Sequence, residues 1–380
     1  MKKLRNKTNL MCKSFKVVGL MSGSSLDGVD LALLDFKVNE EERLLEWEMV
    51  KAATEPYESG FPDRLRNAPE CTALEFWKLH TELGKYYGNL ILRFLKDQPA
   101  IPDLIASHGH TVFHNPKAAY TCQIGDPAAM SAVCSIPVIA DFRSLDVAMG
   151  GQGAPLAPLV DTVLFQEYDA WLNLGGIANL CIRIEDKIRA WDITACNQIF
   201  NYLSAKAGQD FDLDGQIAEQ GKEDLNLKKT MECWSYYQQS LPKSLGNEEL
   251  RSFFFPLLEH SSLSVEDCMR TSLEHVTDKI ADVFLAKQHQ NCNILCTGGG
   301  ALNKAFVRIL RNKLPAGVEL RMPGKDIIEY KEAILIALAG LYSWQKKPIF
   351  FGSVTGATMD NFGGGLYWNN SRSKNGQQII

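Results

Sequence analysis

The stretch GLMSGSSLDGVD, Gly19 to Asp30, sets a hydroxyl-rich glycine turn between two apolar runs. Glycines let a backbone approach a ligand closely and aim its N–H groups at it. Ser22, Ser24 and Ser25 can donate to phosphate oxygens. Asp27 would repel phosphate on its own, so it belongs beside a divalent ion or near Lys and Arg. Hard Mg²⁺ takes such a carboxylate together with phosphate oxygens. The competing reading is a tight hairpin whose small polar residues satisfy one another. Its hydroxyl and acid groups exceed what a two-residue turn needs.

Two more glycine turns follow. Gly175 and Gly176 lie in LNLGGIANL, flanked by Asn173 and Asn179, and could clamp the other side of a polyphosphate. A lone Gly-Gly is only a turn signal. Gly298, Gly299 and Gly300 in CTGGGALN follow a buried strand. They would let the backbone lie flat against a nucleoside, or simply turn a strand into a helix capped by Asn303. The chain has neither GxxxxGK[ST] nor the GxGxxG that follows a first strand, which argues against a P-loop enzyme and a nicotinamide dehydrogenase.

Asp192 in RAWDITACN closes a strand. An acid there, opposite a phosphate loop, suits a general base, which can work ionised. It equally suits an Asx turn or helix cap beside Thr194 and Asn197. His108, His110 and His114 in SHGHTVFH lack the compact ligand set zinc wants, and read as a polar substrate-binding loop. Arg143 sits beside Asp141 and Asp146, as their ion-pair partner or as a donor to an anionic substrate group. AMGGQGAP after it reads as a mobile lid. Lys243 in PKSLG is the other cation in a Gly/Ser/Pro setting, where an exposed lysine is ordinarily just solvated.

The elements that must position these groups recur in two halves. Phe15 to Leu20, Val29 to Val38 and Leu44 to Ala53 read as a three-strand meander. Thr72 to Lys96 carries Leu79, Leu83, Tyr87, Leu90 and Ile91 at helical spacing and is stopped by Pro99. Leu104 to Ser107 is a short strand delivering the histidines at its end, a helix opens near Pro127, and Val138 to Ala140 is a strand. The second half begins again with a meander from Ala170 to Asp192. Helices follow at Asn197 to Ala207, Gly221 to Tyr237, Ser264 to Gln288, from Lys304, and at Lys331 to Trp344. The repeated order is the pattern of a duplicated domain with a phosphate loop in each copy. The residues expected in each part are 15–168, 169–347 and a C-terminal segment 348–380 that returns to the first lobe.

Length and composition agree. The chain has 380 residues, 46% hydrophobic and 22% charged, which suits two globular domains. Lys and Arg number 40 against 45 Asp and Glu, a balance that argues against a nucleic-acid partner. The 10 cysteines form no CxxC and read as reduced thiols. The basic start up to Lys16 is followed by no signal-peptide core, and no stretch is apolar enough to span a membrane. Met1 to Ser14 and the polar NNSRSKNGQQII read as tails.

In order along the chain, GLMSGSSLDGVD, SHGHTVFH, QIGDP, IPVIADFRSLDVAMGGQGAPL, LNLGGIANL, DFDLDG, PKSLG, CTGGGALN and VTGA closely resemble one family, the anhydro-N-acetylmuramic acid kinases, from Val17 to Ala357. The resemblance implies an α/β, two-lobed actin/Hsp70/sugar-kinase-like ATPase fold with a central cleft. It implies conversion of 1,6-anhydro-N-acetylmuramic acid, ATP and water into N-acetylmuramate 6-phosphate and ADP. It further implies Mg²⁺, a cytoplasmic place in murein recycling, and a homodimer, with no nucleic acid or membrane partner.

Carried over by motif, Gly23, Ser24, Ser25, Leu26, Asp27, Gly28, Val29 and Asp30 match the first ATP loop, with Asp27 at the metal. Asp192 matches the aspartate that activates water. His108, His110, Thr111, Asp126 and Arg143 match the segments that hold sugar and lactyl carboxylate, with Asn197 beside them. Gly175, Gly176, Asn179, Lys243, Gly298 to Gly300 and Glu332 match nucleotide-side segments. Three departures stand out. ITACN replaces TGPGN after Asp192, His110 replaces a glutamine, and SGSS replaces SGTS. Two other readings remain open: a different sugar or carboxylate kinase on this scaffold, using Asp192 on a substrate hydroxyl, and a nucleotide-switched binding module. Solvent oxygen entering C1 separates the first; the short chain after Gly365 leaves little room for the second.

Overall fold

The computed structural model describes residues 12–23, 26–184, 187–241, 243–285 and 291–368. Ser24 and Ser25 of the first glycine turn lie outside the described residues, as do both polar tails up to residue 11 and from residue 369. The chain forms two compact units, one of Met1–Val160 with Tyr330–Ile380 and one of Asp161–Glu329.

In the first unit, β1 (Lys13–Ser22), β2 (Val29–Val38) and β3 (Leu44–Glu55) form an antiparallel meander. The first strand therefore begins inside the expected tail. β4 (Leu104–Asn115) runs parallel to β1, β5 (Tyr120–Ile124) pairs antiparallel with the far half of β4, and β6 (Val138–Ala140) runs parallel to its near half. The strand Gly365–Tyr367 adds antiparallel to β6.

Helices cover both faces of this sheet, which is why β1 and β2 are almost continuously apolar. Val18 and Leu20 pack in one core with Leu83, Tyr87 and Leu90 of the helix Ala73–Phe94. That helix opens with a capping box between Thr72 and Glu75, which satisfies two of its unpaired N–H groups. On the other face Gly19 meets the helix Lys325–Trp344. A Cβ at Gly19 would stand 1.9 Å from the Ala333 carbonyl oxygen, and one at Gly340 would stand 2.5 Å from Ala106 Cβ. Gly19 is thus a helix-packing residue.

These contacts also explain a boundary. Tyr330–Lys347 was expected in the second lobe on sequence contiguity; its small-residue helix instead lies on β1 and β4, and the structure groups it with the first unit.

SHGHTVFH is strand rather than loop. β5 supplies antiparallel partners, His110 opposite Ile124 and Thr111 opposite Gln123, that carry β4 through to Asn115. Gly109 makes the bend, with φ +70° and only 2.6 Å between its missing Cβ and the Ile124 carbonyl oxygen.

The second unit repeats the plan. β7 (Ala170–Leu174), β8 (Ile177–Ile184) and β9 (Lys187–Ala195) form the meander. β10 (Cys292–Thr297) runs parallel to β7, and β11 (Val318–Arg321) parallel to β10. The order β3-β2-β1-β4-β6 is matched by β9-β8-β7-β10-β11. Leu172, Leu174 and Leu180 anchor a core completed by Ile280, Phe306 and Leu310 from the helices Val265–Leu285 and Lys304–Lys313. Within Gly221 to Tyr237 the α-helix covers only Leu225–Glu232.

Candidate active site

Asp192 does not close its strand; β9 runs three residues further, to Ala195. A β-bulge intervenes, because Asn179 pairs with Asp192 while Ala178 pairs with Thr194, leaving Ile193 as the extra residue. The register carries a polar row across four strands: Thr297 opposite Asn173, Asn173 opposite Asn179, and Asn179 opposite Asp192. Residues opposite one another in a sheet share a face, so this row is one surface.

The Asp192 carboxylate is held on one side only. Its Oδ2 accepts from the Leu245 backbone N–H at 2.8 Å and from Ser244 Oγ at 3.2 Å. No hydrogen bond from a described residue reaches Oδ1. Burial pushes the carboxyl pKa up, and the Leu245 and Ser244 hydrogen bonds only partly oppose it. The residue is not a helix cap: the helix Asn197–Lys206 has Cys196 at its N-cap, with no side-chain cap.

Lys243, Ser244 and Leu245 wrap this aspartate. The Asp192 N–H donates to the Lys243 carbonyl at 3.2 Å, and Tyr236 Oη donates to the Asp192 carbonyl at 2.7 Å. Lys243 is not a freely solvated lysine. Its Nζ lies 4.4 Å from the Tyr236 ring centre and donates to the Tyr236 carbonyl at 3.2 Å, and burial lowers its pKa. Ser244 and Leu245 were missed as anchors; their signal was the motif already noted for Lys243.

The glycine turns are built against the same strand ends. Gly175 O accepts from Asn197 N–H at 3.0 Å, and Gly176 O accepts from Cys196 N–H at 3.0 Å, so the turn itself satisfies the start of the following helix. Asn197 Nδ2 donates to the Leu174 carbonyl at 2.9 Å. Gly298 has φ +83° and leaves 2.5 Å between its missing Cβ and Asn173 Oδ1, so only glycine fits. Gly299 has room: its Cβ would meet only Asn197 Nδ2, at 3.5 Å.

In the first unit, β4 carries His108, His110 and Thr111. His108 is buried, its Nδ1 on the Gly109 carbonyl at 3.0 Å and its Nε2 unpartnered. Burial, helped by the nearby Arg143 charge, lowers its pKa to about 3, so it is neutral. His110 Nδ1 lies 3.2 Å from Ser22 Oγ, and burial lowers its pKa too. Thr111 Oγ1 accepts from Gln123 at 3.3 Å. Asp126 caps the helix Pro127–Cys134, its Oδ1 accepting from Ala128 N–H at 2.9 Å, which commits that oxygen to the fold.

Arg143 is not the ion-pair partner of its neighbouring acids. Asp146, fully buried, accepts from Gly153 N–H at 2.7 Å, Thr355 Oγ1 at 2.9 Å and Asn361 Nδ2 at 2.7 Å, while Asp141 takes Ser144 Oγ at 2.5 Å. The guanidinium makes no ion pair among the described residues, and burial lowers its pKa with the Glu332 charge opposing. For Glu332 itself the surrounding protein, and after it the Asp30 charge, raise the pKa, against Arg143. The Asp146 clamp also corrects the lid: AMGGQGAP is tied to VTGA, with Gln152 N–H on the Thr355 carbonyl at 3.0 Å.

Among the described residues no three His, Cys, Asp or Glu side chains converge on a metal position. Asp27, beside the first turn, exposes its carboxylate to solvent. That fits Mg²⁺, which keeps waters and takes one or two carboxylates with substrate phosphates.

The model of the family described as anhydro-N-acetylmuramic acid kinase matches residues 15–369. The chain belongs to that family. A Sulfurovum sp. (strain NBC37-1) protein of that name is 31% identical over 370 residues, covering 93% of this chain and 99% of its own. One from Shewanella denitrificans is 32% identical over 373 residues, covering 94% and 99%. Among solved structures, a ROK hexokinase from Thermus thermophilus aligns with TM-score 0.37 at 13% identity over 87% of this chain and 99% of its own. Family membership makes the chain a phosphotransferase. The repeated strand order makes the fold mixed α/β, with one sheet per unit. No helix among the described residues is long and apolar enough to cross a membrane.

Proposed function

We propose that this chain converts 1,6-anhydro-N-acetylmuramic acid, ATP and water into N-acetylmuramate 6-phosphate and ADP, with Asp192 as the base. The observation that carries this is the half-anchored carboxylate: Oδ2 fixed by Leu245 and Ser244, Oδ1 left to accept. A base must be oriented before it is basic. Oδ1 takes a proton from water, the water oxygen bonds to C1, and the C1–O6 bond breaks. O6 takes the γ-phosphoryl group as ADP leaves, so no free alkoxide forms.

Arg143 is the donor for the lactyl carboxylate, since its neighbouring acids are engaged elsewhere and a half-buried guanidinium favours an anionic partner. His108, His110 and Thr111 line the sugar from β4, with Asn197 and Asp126 in supporting roles. The turn from Gly23 to Asp30, with Ser24 and Ser25, takes phosphate. Gly175, Gly176, Asn179, Lys243, Gly298 to Gly300 and Glu332 serve the nucleotide side. Asp27 would hold Mg²⁺, which would neutralise phosphate charge during transfer. The exposed Leu74 and Trp77 on the helix Ala73–Phe94 support a homodimer.

Isothermal titration of ATP beside a turnover assay tests the base. Asp192→Asn should cut turnover roughly 10³-fold or more and leave ATP affinity within about twofold. Equal loss of both would move Asp192 to the nucleotide or to the fold.

A further inference from the structure

Three hydroxyls in the first unit run from the core to His110. Tyr87 is fully buried, and its Oη lies 3.1 Å from Tyr57 Oη. Tyr57 Oη lies 2.5 Å from Ser22 Oγ, and Ser22 Oγ lies 3.2 Å from His110 Nδ1. Tyr57 is held in place by its ring, stacked on Tyr86 with centroids 6.0 Å apart. Each hydroxyl brings one hydrogen, and a buried hydrogen left without an acceptor is costly. Tyr87, at the closed end, spends its hydrogen within the chain. Tyr57 then spends its own on Ser22, and Ser22 on the ring nitrogen. All three hydrogens are used when His110 Nδ1 is the acceptor. A neutral imidazole with an acceptor Nδ1 carries its proton on Nε2.

We propose that Tyr87, Tyr57 and Ser22 are positioning residues that hold His110 as the Nε2–H tautomer, so that it presents one hydrogen-bond donor to an acceptor oxygen of the sugar. The inference rests on the assignment of His110 to the sugar side. It also gives Ser22 a role apart from phosphate: it ties the end of β1 to β4. His110 acts through polarity here, since a ring fixed in the other tautomer would turn a lone pair to the same oxygen and repel it.

The test uses the full chain with ¹⁵N-labelled histidine, near neutral pH, and long-range ¹H–¹⁵N correlation spectra. His110→Gln identifies the His110 signals by their loss. The expected spectrum shows a bare Nδ1 and a protonated Nε2. Tyr57→Phe and Ser22→Ala should each convert it to a tautomer mixture and raise KM for the anhydro sugar about fivefold or more, with KM for ATP unchanged. In the His110→Gln background, where the amide carries its own donor, Tyr57→Phe should leave the sugar KM where it was. An Nδ1–H tautomer in the unmodified chain overturns the proposal, as do spectra unmoved by both substitutions. A tautomer that moves while the sugar KM does not would refute the sugar contact of His110, leaving the hydroxyl chain intact.

Discussion

At the scale of single residues, geometry decides what residue type left open. Asp192 could have been a cap, a turn former or a base. The bulge at Ile193 and the donors of Ser244 and Leu245 leave one oxygen committed and one open. Those donors lie more than fifty positions along the chain, so no local reading could pair them with Asp192. Arg143 was similarly ambiguous until Asp141 and Asp146 were found engaged. Arg143→Ala should raise KM for the sugar by roughly 10- to 100-fold, the cost of a hydrogen bond to a charged group, with KM for ATP unchanged. An equal rise in both KM values would tie Arg143 to the nucleotide. The acid limb of the rate profile belongs to Asp192. Burial raises its pKa, and the protonated form cannot take a proton from water. Activity should therefore fall, as pH drops, at a pH above the ordinary aspartate value of 3.8. His108 adds a stability term. Its pKa falls from 6.5 unfolded to about 3 folded, so the unfolded chain binds more protons between those values. Stability should then be lost as pH falls from 6.5 toward 3, by up to about 1.4 kcal/mol per pH unit. His108→Gln should flatten that slope in denaturant titrations at several pH values; an unchanged slope would refute a neutral buried His108.

At the scale of elements, the meanders, the capped helix Ala73–Phe94 and the strand at Val138 were legible because period and punctuation are local. β4 was not. Its outer half is strand only because β5 pairs with it, and a partner's identity is not written in a strand's own residues. AMGGQGAP shows the same limit. Its glycines read as mobility, yet Gly151 and Gly153 are there to let the backbone close on the Asp146 carboxylate. Asp146→Ala strands three buried donors from Gly153, Thr355 and Asn361. It should lower unfolding free energy by roughly 3 kcal/mol or more and open the 149–155 segment to limited proteolysis. A wild-type cleavage pattern would mean the clamp is dispensable. Gly19→Ala should be as damaging, since its Cβ meets the backbone of Ala333 rather than a movable side chain.

At the scale of the whole molecule, the duplication was visible as a repeated order of strands and glycine turns, and both units carry that order. The division of the chain was less visible, because Tyr330 onward belongs with the first unit although it follows the second in sequence. Ala195 and Cys196 of ITACN are fully buried, so that segment is core here, and His110 keeps a ring donor where glutamine would offer an amide. The central claim is that water, not a substrate hydroxyl, is the group Asp192 activates. Turnover of the anhydro sugar with ATP and Mg²⁺ in ¹⁸O-enriched water, followed by mass spectrometry of the product, tests it directly. The account predicts one ¹⁸O at C1 of a ring-opened 6-phosphate, with none in the phosphoryl group. A phosphorylated sugar that keeps its anhydro bridge, or a product without ¹⁸O at C1, would contradict it.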